Sequence, residues 1–443
     1  MSETIVAIAS PPGMGAVSVI RLSGARAFKI AISVVRGEVL PKPRRVGLRS
    51  IQDDTGRVID EGLLITFEGP GSYTGEDVVE FTGHGGVMVT RRVLERFVEA
   101  GAIPAGPGEF TQRAFMNGRM DLTQAEAVMD LISAQTSLAL RSANEQLDGR
   151  LGRTCENIRA KLLGATAHLE AFIDFPEEDI DPEVGAALCR TLLEQSASIA
   201  GLLSTADQGR ILREGVRTVI FGKPNVGKSS LLNRLLGYQR AIVSSKEGTT
   251  RDTIEEVVNL RGIPLRLIDT AGVRESSDEI EQEGIAMTHG QVARADLVLV
   301  IWDLSESFVD SAEVNIPDGA RRLDILNKSD LEDVSWAGVK GLRISCESGS
   351  GFEDLESAIS KLLSLDEAQW GDHSVAVNAR HQACLTRAQS SLIRAINSLR
   401  AGDEPELTAL DLREALTAIG EIAGIVDTEE ILGEIFGNFC IGK

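Results

Sequence analysis

The sequence lacks what a secreted, metal-centred or membrane-spanning protein needs. Its five cysteines, Cys155, Cys189, Cys346, Cys384 and Cys440, are scattered with no CxxC pair. That excludes a disulfide framework and a cysteine zinc site, and it reads as reduced thiols in a cytosol. The five histidines lie far apart, with no HExxH. No run of about 18 uncharged apolar residues occurs, so no membrane span is expected. The opening Met1-Ser2-Glu3-Thr4 is acidic and unlike the basic start of a signal peptide. Excess positive charge is missing too. A net −21 argues against a simple nucleic-acid binder, because phosphates are neutralised by Lys and Arg. Gly83-His84-Gly85-Gly86 has the form of an oxyanion strip, but no GxSxG nucleophile exists, and a hydrolase of that type is excluded.

What is present is ordinary globular material, 43% hydrophobic and 25% charged over 443 residues, enough for two or three domains. Residues 1–118 balance 13 basic against 13 acidic side chains, whereas 119–214, 215–364 and 365–443 each carry net −7. The first stretch reads as mixed α/β. Thr4–Ala9, Ala16–Leu22, Val58–Phe67 and Val78–Phe81 are short apolar strands bounded by Gly and Pro, and Ala25–Val35 and Val87–Ala100 carry helical spacing. From Leu122 the texture is helical. Thr123-x-x-Glu126 has the form of a capping box, and one apolar stripe runs from 125 to 172 and stops before Pro176. Further helices are predicted over Val184–Thr205, Arg380–Leu399, Leu407–Ala423 and Thr428–Phe436. Helical segments at 119–214 and 365–443 around an α/β segment at 215–364 suggest one helical domain with the other inserted. Two separate helical domains are the alternative.

The inserted segment carries the chemistry. Strand Thr218–Phe221 leads into Gly222-Lys223-Pro224-Asn225-Val226-Gly227-Lys228-Ser229 and a helix over Ser230–Leu236. This is GxxxxGK[ST] in its required setting: backbone N–H groups curl around phosphates, Lys228 reaches the outer ones, and Ser229 offers a hydroxyl to Mg²⁺. Strand Leu265–Ile268 ends in Asp269-Thr270-Ala271-Gly272, where the aspartate suits a Mg²⁺-bound water and the glycine a γ-phosphate. Strand Leu323–Leu326 ends in Asn327-Lys328-Ser329-Asp330. Asp330 can accept two N–H donors from guanine that adenine does not offer, so GTP is the expected substrate. Strand Leu342–Ser345 delivers Ser345-Cys346-Glu347, a backbone clamp for the base oxygen. Loops at the C-terminal ends of successive strands predict a doubly wound sheet with its ligand at that edge.

For hydrolysis, the position after the DTAG glycine is Val273, which cannot orient water. Carboxylates follow at Glu275, Asp278, Glu279, Glu281 and Glu283. The transition-state charge needs a cation: Arg251, Arg274, or a monovalent ion near Asn225. Ser244-Ser245-Lys246-Glu247-Gly248-Thr249-Thr250-Arg251-Asp252 has the character of a switch loop in which Thr249 or Thr250 completes the Mg²⁺ shell.

These motifs, together with others along the chain, resemble the tRNA-modification GTPase MnmE (TrmE) family over essentially the full length. The others are Pro11-Pro12-Gly13, Arg21-Leu22-Ser23-Gly24, Tyr73-Thr74-Gly75-Glu76-Asp77 with Glu80, Gly83-His84-Gly85-Gly86, Pro107-Gly108-Glu109-Phe110 with Arg113-Ala114-Phe115 and Asn117, Ile173-Asp174-Phe175-Pro176, and Cys440-Ile441-Gly442-Lys443. The resemblance implies a multidomain chain: an N-terminal mixed α/β folate-binding domain that dimerises, a helical domain, and an inserted P-loop GTPase domain. It implies aminomethyl or carboxymethylaminomethyl modification at C5 of the wobble uridine of certain tRNAs. The flavoprotein MnmG would be the partner, in a heterotetramer, and a tetrahydrofolate derivative (5-formyl or methylene form) the one-carbon source, in the cytoplasm. K⁺ would replace an arginine finger, held by Asn225, Ser244, Lys246 and Thr249, with Mg²⁺ on Ser229 and Thr250. Ser230 and Val226 would complete the phosphate cradle. Glu281 would orient the attacking water through a second water. Arg21, Glu80 and Lys443 would touch the folate, joined by Arg119 where the family has lysine, a change that keeps charge but not donor geometry. Cys440 is either a catalytic thiol or a small buried anchor of the tail. An assembly or regulatory GTPase without part in the modification chemistry is the competing reading.

Overall fold

The computed structural model describes residues 3–174, 183–238, 256–268, 292–306, 319–331, 340–363, 376–425 and 429–442. Two compact units divide the chain. One comprises Met1–Met129, Leu147–Asp174 and Leu412–Lys443; the other comprises Asp130–Gln146 and Phe175–Asp411.

The first unit is built on a six-stranded sheet of β1 (Ile5–Ile8), β2 (Val17–Ser23), β3 (Gly47–Gln52), β4 (Val58–Phe67), β5 (Val78–His84) and β6 (Ile103–Pro104), in the order β3-β4-β5-β2-β1-β6. Every pairing is antiparallel except β1 with β6. Helices α1 (Ala27–Val34) and α2 (Val87–Glu99) pack their apolar stripes on it around Ile20, Leu22, Leu64 and Phe81, and α3 (Glu109–Met116) follows β6. Strand β3 was not expected from the sequence. Only Ile51 of its six residues is buried, so it has no apolar alternation to read.

The helical stripe from 125 to 172 is three helices, α4 (Leu122–Ser133), α5 (Ser137–Leu147) and α6 (Arg150–Asp174). The second break falls at Gly149, which has φ +76°. The capping box lies two residues before the expected one. Asp121 Oδ1 accepts the Gln124 N–H, and Gln124 Oε1 accepts the Asp121 N–H. Thr123 and Glu126 are instead buried in the body of α4.

In the second unit a six-stranded sheet runs β12-β11-β10-β7-β9-β8. Its members are β7 (Val216–Phe221), β8 (Glu256–Leu260), β9 (Ile263–Leu267), β10 (Leu297–Asp303), β11 (Arg321–Asn327) and β12 (Leu342–Arg343). All neighbours are parallel except the β8–β9 hairpin. Every residue of β10 is buried, as a central parallel strand requires. Helix α9 (Lys228–Tyr238) follows β7, and α10 (Phe352–Leu363) follows β12. This is the expected doubly wound α/β module.

The same unit holds α7 (Glu183–Ser204), α8 (Ala206–Glu214) and α11 (Ala379–Ala401), the last opened by an Asn378–His381 capping pair. Helix α8 leads straight into β7. Arg213 pairs with Asp130 at 2.8 Å, Arg210 pairs with Asp296 at 3.1 Å, and Gly209 lies against the Val377 backbone. Helices α12 (Pro405–Ala423) and α13 (Glu429–Gly437) complete the described chain. Among the described residues no helix is long and apolar enough to cross a membrane.

Candidate nucleotide-binding site

The phosphate loop is made where β7 turns into α9. Asn225 has φ +62° and Gly227 φ +103°, so the chain curls with its amides inward ahead of the helix N-terminus at Lys228. Gly222 is required by packing: a Cβ there would sit 2.6 Å from the Ile301 carbonyl oxygen. Val226 is buried and pins the loop, while Asn225, Ser229 and Ser230 are exposed. Lys228 reaches back over the loop, its Nζ donating to the carbonyls of Gly222 at 2.7 Å and Lys223 at 2.8 Å. Partial burial pushes its ammonium below the usual lysine pKa.

Asn327 joins three loops. Buried at the end of β11, it donates from Nδ2 to the Val226 carbonyl at 2.8 Å and accepts the Cys346 N–H on Oδ1 at 3.1 Å. Gly227 lacks the Cβ that would fall 2.2 Å from that Nδ2. Lys328, at φ +64°, turns its ammonium onto the buried Asp303 carboxylate. Burial alone would raise the Asp303 pKa, but hydrogen bonds from Lys328 and Ser305 outweigh it and hold the carboxyl below its usual range. Asp330 and Glu347 are exposed, and Ser345 is fully buried with its Oγ accepting the Ser348 N–H. The Cys346 thiol is pushed up to about 11, chiefly by burial, with Arg234 opposing and the Asp330 charge adding to the rise. Asp303 was not anticipated. The signal was its place at the end of an all-apolar strand, where a lone carboxylate needs a partner.

The structure thus brings together Asn225, Val226, Gly227, Lys228, Ser229 and Ser230 with Asn327, Lys328, Asp330, Ser345, Cys346 and Glu347. Ser244, Ser245, Lys246, Glu247, Gly248, Thr249, Thr250, Asp269, Thr270, Ala271, Gly272 and Glu281 lie outside the described residues, as does Lys443.

A second locus lies in the first unit. Arg21 on β2 faces Glu80 on β5 across the ladder, Nε to Oε1 at 2.7 Å, with both side chains at least three-quarters buried. The guanidinium lies over the rings of Tyr73 at 5.3 Å and Phe110 at 5.7 Å. Arg113 backs the same loop through Glu76 and Glu109, and Asn117 donates to the Thr74 carbonyl. Gly75, at φ +79°, lets the Arg119 stem pack on this turn. Residues 440–442 run beside it: Gly108 N–H meets the Cys440 carbonyl, Ile441 bridges to Pro107, and Gly442 rests on the Ile8 carbonyl. Cys440 itself is exposed, so it is not the buried anchor; Phe439, packed on Gly108, holds that place.

A phosphate loop, an Asn-Lys-x-Asp loop and a third loop tied to both by Asn327, all at the C-terminal edge of a doubly wound sheet, define a P-loop GTP-binding protein. Two family profiles match the chain: the TrmE N-terminus, described as a GTP-binding protein, over residues 4–119, and the MnmE helical domain over 122–440. Proteins called tRNA modification GTPase MnmE align over their whole length. That of Akkermansia muciniphila is 50% identical, covering 100% of this chain and 99% of its own. That of Opitutus terrae is 44% identical, again over 100% and 99%, and that of Aquifex aeolicus 42%, over 100% of both. The chain belongs to the MnmE (TrmE) family of tRNA modification GTPases. A solved G domain of the T. maritima FeoB transporter is 25% identical, covering 33% of this chain and 98% of its own, at a TM-score of 0.22, too low to speak for the fold.

Proposed function

We propose that this GTPase couples hydrolysis of GTP to GDP and phosphate with one-carbon modification at C5 of the wobble uridine of tRNA, aided by a tetrahydrofolate and a flavoprotein partner of the MnmG kind. The GTPase half rests on Asn327, whose single amide fixes the phosphate loop and the base loop at once. Asp330 then selects guanine by accepting its paired N–H donors. Ser229 supplies a hard oxygen of the kind Mg²⁺ takes, completed by Thr250. Asn225, Ser244, Lys246 and Thr249 would hold K⁺; Asn225 is exposed, at a left-handed turn of the phosphate loop. When bound, Mg²⁺ and K⁺ would supply positive charge against the charge that develops on the GDP oxygens. Glu281 orients water.

The folate half rests on the Arg21–Glu80 pair, whose guanidinium lies over two aromatic rings. A pterin presents the same amide-plus-amine edge as guanine, which a carboxylate such as Glu80 can accept, while a cation stacks on or pairs with the rest of the ligand. Arg119 and Lys443 suit its carboxylate tail, and the exposed Cys440 lies on the tail that runs beside it. We read residues 1–118 as the folate-binding, dimerising domain, and residues 119–214 and 365–443 as a single helical domain interrupted by 215–364. The test is nucleoside analysis of wobble uridines in cells lacking this chain. Loss of aminomethyl-type C5 groups, restored by the wild-type chain but not by Glu80→Ala, is expected. Unchanged uridines would favour an assembly or regulatory GTPase.

A further inference from the structure

We infer that Arg234 is a positioning residue for guanine recognition, holding the base loop from the phosphate helix. The inference rests on the GTP reading above. Arg234 lies in α9, six residues past Lys228, about 9 Å along the axis. Its Nη1 donates to the carbonyls of Cys346 and Glu347, both at 3.3 Å. Its guanidinium lies over the ring of Phe352, the buried first residue of α10, at 5.5 Å. The loop is shaped to admit it: Gly349 takes φ +86°, and a Cβ there would fall 1.8 Å from Arg234 Nη2.

The peptide plane explains how this contact acts on a base that Arg234 does not touch. A trans peptide points its carbonyl and its N–H in opposite directions. Drawing the Cys346 carbonyl toward α9 therefore turns the Glu347 N–H to the far side of the loop. The preceding amide, of Cys346, is already held by Asn327 Oδ1. The loop's donors are thus set from two directions, by Asn327 on β11 and by Arg234 on the helix that begins at the phosphates. Neutral loop carbonyls bound to a guanidinium make charge-assisted bonds, stronger than those water would offer.

The test separates positioning from mere stability by changing the base. Equilibrium binding of a non-hydrolysable GTP analogue is compared with its 2-aminopurine counterpart, which lacks the base oxygen the loop would bind. Arg234→Ala should weaken the guanine analogue about tenfold and the 2-aminopurine analogue less than about twofold. Arg234→Lys should recover part of the discrimination. Gly349→Ala, which displaces the guanidinium from the other side, should reproduce the loss. An equal loss for both nucleotides, or none, overturns the inference. Where Arg234→Ala yields little folded protein, Arg234→Lys and Gly349→Ala decide on the same ratio. A wild-type protein that binds neither nucleotide would instead overturn the GTP reading.

Discussion

Asn327 is the residue on which most of the nucleotide site turns. Removing its side chain leaves the Val226 carbonyl and the Cys346 N–H without their partner, at a cost of about 2–4 kcal/mol. Asn327→Ala should lower GTP affinity, read by titration, and also the melting temperature of the α/β module. Asp330, which is exposed, should separate the two effects. Asp330→Asn should leave melting unchanged, weaken GTP by several kcal/mol and favour xanthine nucleotides, whose hydrogen-bond polarity is reversed. Unchanged GTP affinity would remove Asp330 from the site. Asp303 gives a pH signature. Its folded pKa is depressed, so its contribution is complete above the unfolded aspartate value, about 3.9, and is lost as pH falls through the lower folded value. Asp303→Asn should therefore flatten the acid limb of a stability–pH profile and leave the neutral region parallel to wild type. Asn327, Lys228 and Asp330 were legible in the sequence because each sits in a short motif with fixed neighbours. Asp303 was not, because its partner Lys328 is 25 residues away and only the parallel pairing of β10 with β11 unites them.

Elements were legible where one face is buried and obscure where nothing alternates. The alternating β4 declares itself, whereas β10, buried on both faces, and β3, which buries one side chain, show no alternation and were not read from the sequence. The capping box shows how a real motif is misplaced: Asp121-x-x-Gln124 and Thr123-x-x-Glu126 both satisfy the pattern, and burial of the latter pair decides between them. Gly209 tests the junction of α8 with the segment after the α/β module. A Cβ there would meet the Val377 N and O at 2.7 Å, and backbone cannot swing aside as a side chain can. Gly209→Ala should cost about 1–3 kcal/mol despite the better helix propensity of alanine. Gly201 in α7 has nothing within 4 Å of such a Cβ, and Gly201→Ala should hold or raise the melting temperature. Equal behaviour of the two variants would mean that the α8 contact yields without cost.

At the scale of the whole molecule, charge is segregated along the chain. The balanced first 118 residues carry the Arg21–Glu80 locus, and the −21 net charge resides entirely in the rest. A cation recruited from solution suits such a chain better than a free arginine drawn from an acidic surface. GTP turnover should accordingly be many times faster in K⁺ than in Na⁺ at equal ionic strength, and Asn225→Ala should abolish most of the difference. Equal rates in the two salts would assign the charge to Arg251 or Arg274. The contact of Gly442 with the end of β1 joins positions more than 430 apart, and no local pattern records it; only the resemblance brought the C-terminal residues near Arg21 and Glu80.

That contact has a consequence for how the chain is made. Ile8 is made 434 residues before Gly442, which rests on its carbonyl. At about 5–20 residues per second, some tens of seconds separate them. During that interval Gly108 lacks Phe439, and Phe115 and Leu122 lack the turn at Gly424 that covers them. Within the stretch from Phe175 to Asp411 the wait is shorter: Gly209 meets Val377, made 168 residues later. The sheet of the first unit is therefore made well before the residues that complete its packing, and its uncovered apolar surface is where a nascent-chain chaperone would find its hold.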